Sequence, residues 1–234
     1  KTMAISIIVE LTPTGVKGLD ELIQGGIPKG ALVALTGDPG AGKTIFCLQY
    51  LYAGAMEHDE VGVYLSLEEK PEELIQTAAV FGWDFHPLIK SGKIIMQTIE
   101  LYDFDKLRDS IEDLITKSKA LRMVIDHVVI FHLSFEKELD ARKRILSLGK
   151  MLKKLGVTTL ITNENSTQQT GLFGLEEYVA DGVILLYHTR VENRFQRSVG
   201  ILKMRETKIS DKLRPVRITS EGMEILPKEE LFTE

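Results

Sequence analysis

Short apolar runs alternate along this chain with longer stretches in which apolar residues return every three or four positions. The runs at 31–35, 61–67, 94–96, 123–126, 157–162 and 182–187 have strand length and are mostly unbroken by charge, as expected for strands buried on both faces. Between them the spacing turns helical. Ile45, Leu48, Leu51, Tyr52 and Ala55 predict a helix directly after Thr44 that packs on the sheet. Pro71 with Glu72 and Glu73 opens another, since proline suits the first turn and acids suit the helix dipole; it runs to about Phe81 and Gly82 closes it. Asp103 can cap a helix carrying Phe104, Leu107, Ile111, Leu114 and Ile115 on one face. A long charged helix is expected from about Leu139 to Leu155, with Gly156 as its stop.

The ends of the chain follow other patterns. Residues 14–23 begin as a turn and become a short amphipathic helix, which Gly25-Gly26-Ile27-Pro28-Lys29-Gly30 breaks. Residues 163–174 are polar and contain glycine, so they are expected as a loop. From Ser198 onward the pattern becomes short β-rich runs separated by turns, with an acidic tail. Strands alternating with helices predict an α/β fold: a mainly parallel central sheet flanked by helices, with a β-rich C-terminal extension. In such sheets ligands bind beyond the carboxyl ends of the strands, where Gly37, Glu68, Asp126 and Thr162 all fall.

One of those ends carries a strong signal. Gly37-Asp38-Pro39-Gly40-Ala41-Gly42-Lys43-Thr44 fits G-x-x-x-x-G-K-[ST] at every fixed position and sits between a predicted strand and a predicted helix beginning near Ile45. Glycines let the backbone curl until several N–H groups point at one anion, and the helix N-terminus adds partial positive charge there. Lys43 would reach the β- and γ-phosphates of ATP, and the Thr44 hydroxyl would ligate Mg²⁺. Asp126 ends an apolar strand further along, where a second Mg²⁺ contact through water belongs. Glu68 and Glu69 end the strand at 61–67. Hydrolysis needs a group that positions or deprotonates water, and a carboxylate there would serve. Adjacent strand residues point to opposite sides, so one of the pair is expected to meet the water, Glu68, with Glu69 in support. His127 and His132 lack a convincing third ligand for a metal and are expected in packing or surface roles.

Composition narrows the picture only modestly. The 234 residues, 44% hydrophobic and 27% charged, suit one large α/β unit: a lead-in at 1–30, a nucleotide-binding core at 31–190 and a β-rich part at 191–234. A net charge of −5 argues against a general nucleic-acid coat. The lone cysteine, Cys47, cannot form an internal disulfide and reads as a small buried hydrophobe. No run is long enough to span a membrane, the apolar stretch at 4–9 lacks a signal-peptide pattern, and the cytoplasm is the expected location.

Thr14-Gly15-x-x-Gly18-Leu19-Asp20 and Gly26-Ile27-Pro28-Lys29-Gly30, placed before the phosphate loop, resemble the RecA-superfamily ATPases of the KaiC-like type. Leu67-Glu68-Glu69, Phe81-Gly82-Trp83-Asp84, Val124-Ile125-Asp126 and Leu202-Lys203-Met204-Arg205 resemble further motifs of that family, in the expected order over nearly the whole chain. The resemblance implies a RecA-like core, a homo-oligomeric ring (usually six subunits), ATP held between neighbours, and Glu68 with Glu69 as the catalytic pair. It also implies that Lys203 and Arg205 act on the adjoining subunit's nucleotide, that regulatory proteins read the ring, and, in a variant reading, that the ring phosphorylates its own serines or threonines. The sequence departs from the family at three positions. His127 follows Asp126 where a small residue is common, and Glu206 and Ile209 stand where glycine and histidine usually follow the Lys-x-Arg motif. Two other functions compete. A recombinase-like DNA-binding ATPase would use residues 163–174 and the basic group Arg190, Arg194 and Arg197, against an acidic balance and a loop without lysine or arginine. A nucleotide-gated scaffold would bind ATP without hydrolysing it.

Overall fold

The computed structural model describes residues 9–99, 103–126, 138–164, 177 and 179–231. Strands β1 (Leu11–Thr12) and β2 (Ile27–Pro28) form a small antiparallel pair around helix α1 (Leu19–Leu22). The core then runs β3 (Leu32–Gly37), α2 (Lys43–Glu57), β4 (Gly62–Ser66), α3 (Pro71–Val80), α4 (His86–Lys90), β5 (Ile94–Thr98), α5 (Phe104–Ser118), β6 (Arg122–Asp126), α6 (Glu138–Lys154) and β7 (Thr158–Glu164). It ends with β8 (Gly182–Val191), β9 (Arg194–Met204), β10 (Arg214–Thr219) and β11 (Gly222–Ile225).

All of these strands except β1 and β2 join one nine-stranded sheet in the order β11-β10-β9-β8-β3-β7-β6-β4-β5. The six strands from β8 to β5 are parallel, and β9, β10 and β11 extend the sheet antiparallel. This is the α/β architecture expected from the alternation of runs, with the β-rich C-terminal segment continuing the same sheet. Strand alternation explains the two core layers. Val33 and Leu35 face α2 with Phe46, Tyr50 and Tyr64, while Leu32 and Ala34 face α5 and α6 with Leu107, Ile111, Ile145 and Leu148.

Local signals hold up well at the helix ends. Asp103 caps α5, its carboxylate accepting from the amides of Asp105 and Lys106 at 2.9 and 3.3 Å. Gly82 and Gly156 follow α3 and α6 with φ of +74° and +73°. Three expectations need correction. Helix α2 buries more than the predicted stripe, because Phe46 and Tyr50 are fully enclosed while Ile45 and Tyr52 are only partly so; β11 also packs on it. Asn163 and Glu164 are not loop, since β7 continues through them and pairs with Thr36 and Gly37. Strand β8 runs four residues beyond the predicted 187, because β9 pairs with it out to Val191. Residues 165–174, His127 and His132 lie outside the described residues.

The block at 14–20 has a structural explanation. The Asp20 carboxylate accepts from the Thr14 amide at 3.1 Å and from the Thr14 hydroxyl at 2.7 Å. A β-carbon on Gly15 would stand 2.1 Å from Ala53 Cβ, so only glycine lets this turn lie against α2. A second buried device is Arg122, fully enclosed, which pairs with Glu60, donates to the Tyr50 carbonyl at 2.9 Å and lies over the Tyr50 ring.

Candidate active site

The sheet register brings the predicted positions to one edge. Gly37 pairs with Glu164, Leu35 with Thr162, and Ser66 with Asp126, so β3, β7, β6 and β4 end together. Parallel pairing fixes this alignment. Beyond those ends lies a cleft of about 330 Å³ lined by Gly40, Gly42, Lys43, Thr44, Ile45, Ser66, Glu68, Glu69, Asp126, Glu164, Arg197 and Ile218.

The loop from Gly37 to Gly42 enters this cleft between β3 and α2. Gly40 and Gly42 adopt φ of +73° and +105°, the left-handed region that glycine tolerates, and a β-carbon on Gly42 would stand 2.6 Å from Met223 Cε. Such a curl aims successive amides at one point ahead of α2, whose 15 residues add their dipole. Asp38, Pro39 and Ala41 shape the loop. The Asp38 carboxylate accepts from the His188 amide at 2.9 Å, His188 Nδ1 lies 3.3 Å from the Pro39 carbonyl, and Ala41 is buried in the core. Arg197 Nε donates to the Gly40 carbonyl at 3.1 Å.

Lys43 is 8% exposed, and its ammonium donates to the carbonyls of Gly37 and Asp38 at 2.9 and 3.2 Å. Glu164 Oε1 stands 3.7 Å away. Burial pulls the Lys43 pKa down, and Glu164 and Asp126 partly offset this. The ammonium is therefore already desolvated and aimed at the loop's interior. Thr44 follows it into the cleft as an oxygen donor, and Asp126 supplies a carboxylate from the end of β6. Oxygen donors of this kind suit Mg²⁺, which keeps most of its ligands as water and phosphate. Asp126 is 6% exposed, and both of its oxygens accept hydrogen bonds, Oδ1 from Thr162 Oγ1 and Oδ2 from the Tyr64 hydroxyl.

Glu68 and Glu69 both line the cleft, where strand alternation predicted only one. The chain leaves the extended conformation after Ser66, whose Oγ accepts from the amides of Glu68 and Glu69 at 3.2 and 2.8 Å. That turn carries both carboxylates to the same side.

Lys203 and Arg205 are elsewhere. Lys203 pairs with Val183, and Arg205 follows Met204, which pairs with Gly182 at the start of β8. Gly182 lies opposite Val33 and Leu186 opposite Gly37. Those four residues of strand separate Arg205 from the phosphate loop by about 13 Å. Val183 belongs to the layer facing α5 and α6, so Lys203 also leaves the sheet on the face away from α2. Arg205 is 63% exposed and pairs with Asp181 at 3.2 Å. Burial lowers the Lys203 pKa, and neighbouring Arg205 lowers it further. Glu206, in the glycine position of the family motif, adopts φ +64°.

Sequence reasoning missed Tyr64, Ser66, Glu164, His188, Ile218 and the role of Arg197. Only two left a trace: Glu164 lies two positions beyond Thr162, hence on its face, and Arg197 stood out merely as part of a basic group.

A family model described as "ATPase: KaiC" matches residues 12–230. Among curated proteins, the circadian clock oscillator protein KaiC of Nostoc sp. is 33% identical over 231 residues, 94% of this chain and 44% of that protein. KaiC of Thermostichus vulcanus is 34% identical over 211 residues, 85% of this chain and 41% of that protein. The chain thus spans under half the length of the curated relatives it matches. The crystal structure of a KaiC-like protein from the hyperthermophilic archaeon Pyrococcus horikoshii OT3 superposes with a TM-score of 0.86 at 38% identity, covering 94% of this chain and 100% of that one. With its phosphate loop, its RecA-type sheet and a family match over nearly its whole length, the chain belongs to the KaiC ATPase family.

Proposed function

We propose that this chain is the subunit of a homo-oligomeric ring, of six copies by family resemblance, that binds Mg²⁺-ATP between neighbours and hydrolyses it slowly as a regulatory switch read by partner proteins. The observation that carries this reading is a division of labour. Phosphate loop, metal-binding oxygens and paired carboxylates share one cleft, while Lys203 and Arg205 stand at the far end of the sheet, out of reach of their own chain's nucleotide.

In this reading the amides from Gly37 to Thr44 and Ile45 surround the phosphates, and Lys43 exchanges its carbonyl partners for phosphate oxygens. Thr44 would hold Mg²⁺ directly and Asp126 through water, and the bound cation would neutralise charge on the phosphates. Glu68, supported by Glu69, orients the attacking water and takes its proton. Lys203 and Arg205 of the neighbour stabilise the charge that develops on the transferred phosphoryl group, so turnover depends on assembly.

The test is phosphate release per subunit in Mg²⁺-ATP over a wide range of protein concentration. The expected rate per subunit climbs and then levels off as neighbours complete each other's sites. A measurable rate that stays flat down to concentrations where sizing shows monomers would remove the ring from the mechanism. No turnover at any concentration would leave a nucleotide-gated scaffold, and label retained on the protein would add an autokinase. The DNA-binding reading gains nothing from the geometry, since Arg197 is turned onto the phosphate loop and Arg190 onto the Glu192 carbonyl. Among the described residues no helix is long and apolar enough to cross a membrane.

A further inference from the structure

Tyr64 is fully buried in the layer beneath α2. Its ring fills space that a phenylalanine would fill equally well, so packing alone does not account for the hydroxyl. A buried phenol needs a partner, and here the partner is one oxygen of Asp126. Tyr64 pairs with Val124 and Ser66 with Asp126, so Tyr64 and Asp126 are diagonal neighbours on the same face. That spacing lies within reach of an aromatic side chain leaning along its strand. From the other flank, Thr162 on β7 donates to the second oxygen. The two strands that sandwich β6 therefore each supply one hydroxyl to the same carboxylate. The Lys43 ammonium acts on this spot through its charge.

We propose that Tyr64 and Thr162 are positioning residues for Mg²⁺: together they fix the plane and rotamer of the Asp126 carboxylate, so that its remaining lone pairs face the cation's water shell. This rests on the reading of Asp126 as the Mg²⁺-side carboxylate. The physical case is that of outer-shell partners generally. A carboxylate accepting one hydrogen bond on each oxygen has a single orientation, and pre-orientation improves cation binding without adding a ligand.

The experiment measures binding of a fluorescent, non-hydrolysable ATP analogue in EDTA and then along a Mg²⁺ titration, with the Mg²⁺ dependence of phosphate release in parallel. The variants are Tyr64→Phe, Thr162→Val, Thr162→Ser and Asp126→Asn. Tyr64→Phe and Thr162→Val are expected to bind the analogue in EDTA as the parent does, yet to need about tenfold more Mg²⁺ for half-maximal effect. Thr162→Ser, which keeps the hydroxyl, is expected to stay close to the parent. If Tyr64→Phe does not fold, the Thr162→Val and Thr162→Ser pair decides alone. Parental Mg²⁺ requirements in the hydroxyl-deleted variants, or equal losses in EDTA and in Mg²⁺, overturn the proposal. If Asp126→Asn itself keeps the parental Mg²⁺ requirement, the assignment of Asp126 has failed, and the positioning role falls with it.

Discussion

If Arg205 and Lys203 act across a subunit boundary, two inactive proteins should rescue each other. The first variant, Lys43→Ala, has no phosphate-loop lysine but keeps its trans cations. The second, Lys203→Ala with Arg205→Ala, keeps an intact cleft. The strand register puts Arg205 about 13 Å from the phosphate loop of its own chain, further than an arginine side chain extends from its backbone. Each variant alone should therefore lose about a thousandfold or more in turnover, the scale of a missing arginine finger. In a ring with one heterologous interface per pair, a site works when its cleft comes from the second variant and its cations from the first. Random mixing in equal amounts makes about a quarter of the interfaces of that kind, so about a quarter of the parental rate should return. The assay is phosphate release after the two proteins are diluted together to monomers and reconcentrated, with sizing to show that assembly recovered. Arg205 gives up only a half-exposed pair with Asp181, so the substitutions should leave folding intact. No recovery from a properly assembled mixture, or a parental rate from the double substitution alone, would refute the trans assignment.

Other expectations follow from local geometry. Glu206→Gly removes a side chain from a left-handed residue (φ +64°) and should stabilise the chain by up to about 1 kcal/mol, raising the melting temperature by about 2 °C; a lower melting temperature would mean that the Glu206 side chain contributes more than its backbone strain costs. Arg122→Ala leaves Glu60 and the Tyr50 carbonyl without their buried partner and should cost about 3–5 kcal/mol in urea unfolding; a loss below 1 kcal/mol would show the pair to be dispensable. Burial raises the Asp20 pKa above its ordinary 3.8, outweighing the hydrogen bonds from Thr14. The folded state then holds the proton longer than the unfolded chain, so this contribution is full below 3.8 and is lost as pH rises through the folded value. Asp20→Asn should flatten the stability profile over that window, and an unchanged slope would place the titration elsewhere.

Some of this was legible in the sequence because it is local. The phosphate loop announces itself by spacing, and its context needs only a buried run before it and helical periodicity after it. Asp103, Gly82 and Gly156 end or cap helices through contacts within a few residues, so they too could be read directly. Glu68, Asp126 and Thr162 could be placed at one ligand-binding edge of a parallel sheet, but not which of them are neighbours. That step depends on β7 lying between β3 and β6, and on β4 pairing with β6 at Ser66 and Asp126. A period of two tells which face a residue takes and nothing about which strand lies alongside. For the same reason Tyr64 looked like an ordinary strand residue and Thr162 had a place at the edge but no partner, although they meet at Asp126 from 62 and 36 positions away. Arg197 reaches Gly40 across 157 residues, by way of an antiparallel extension whose pairing no local pattern specifies. The sequence by itself determined the elements and the phosphate chemistry, since both follow from short-range sterics and hydrogen bonding. Only the tertiary structure decided which hydroxyls hold Asp126, why both glutamates face the cleft, and that Lys203 and Arg205 stand at the opposite end of the sheet, because strand order and register arise from burying both faces of the whole sheet at once.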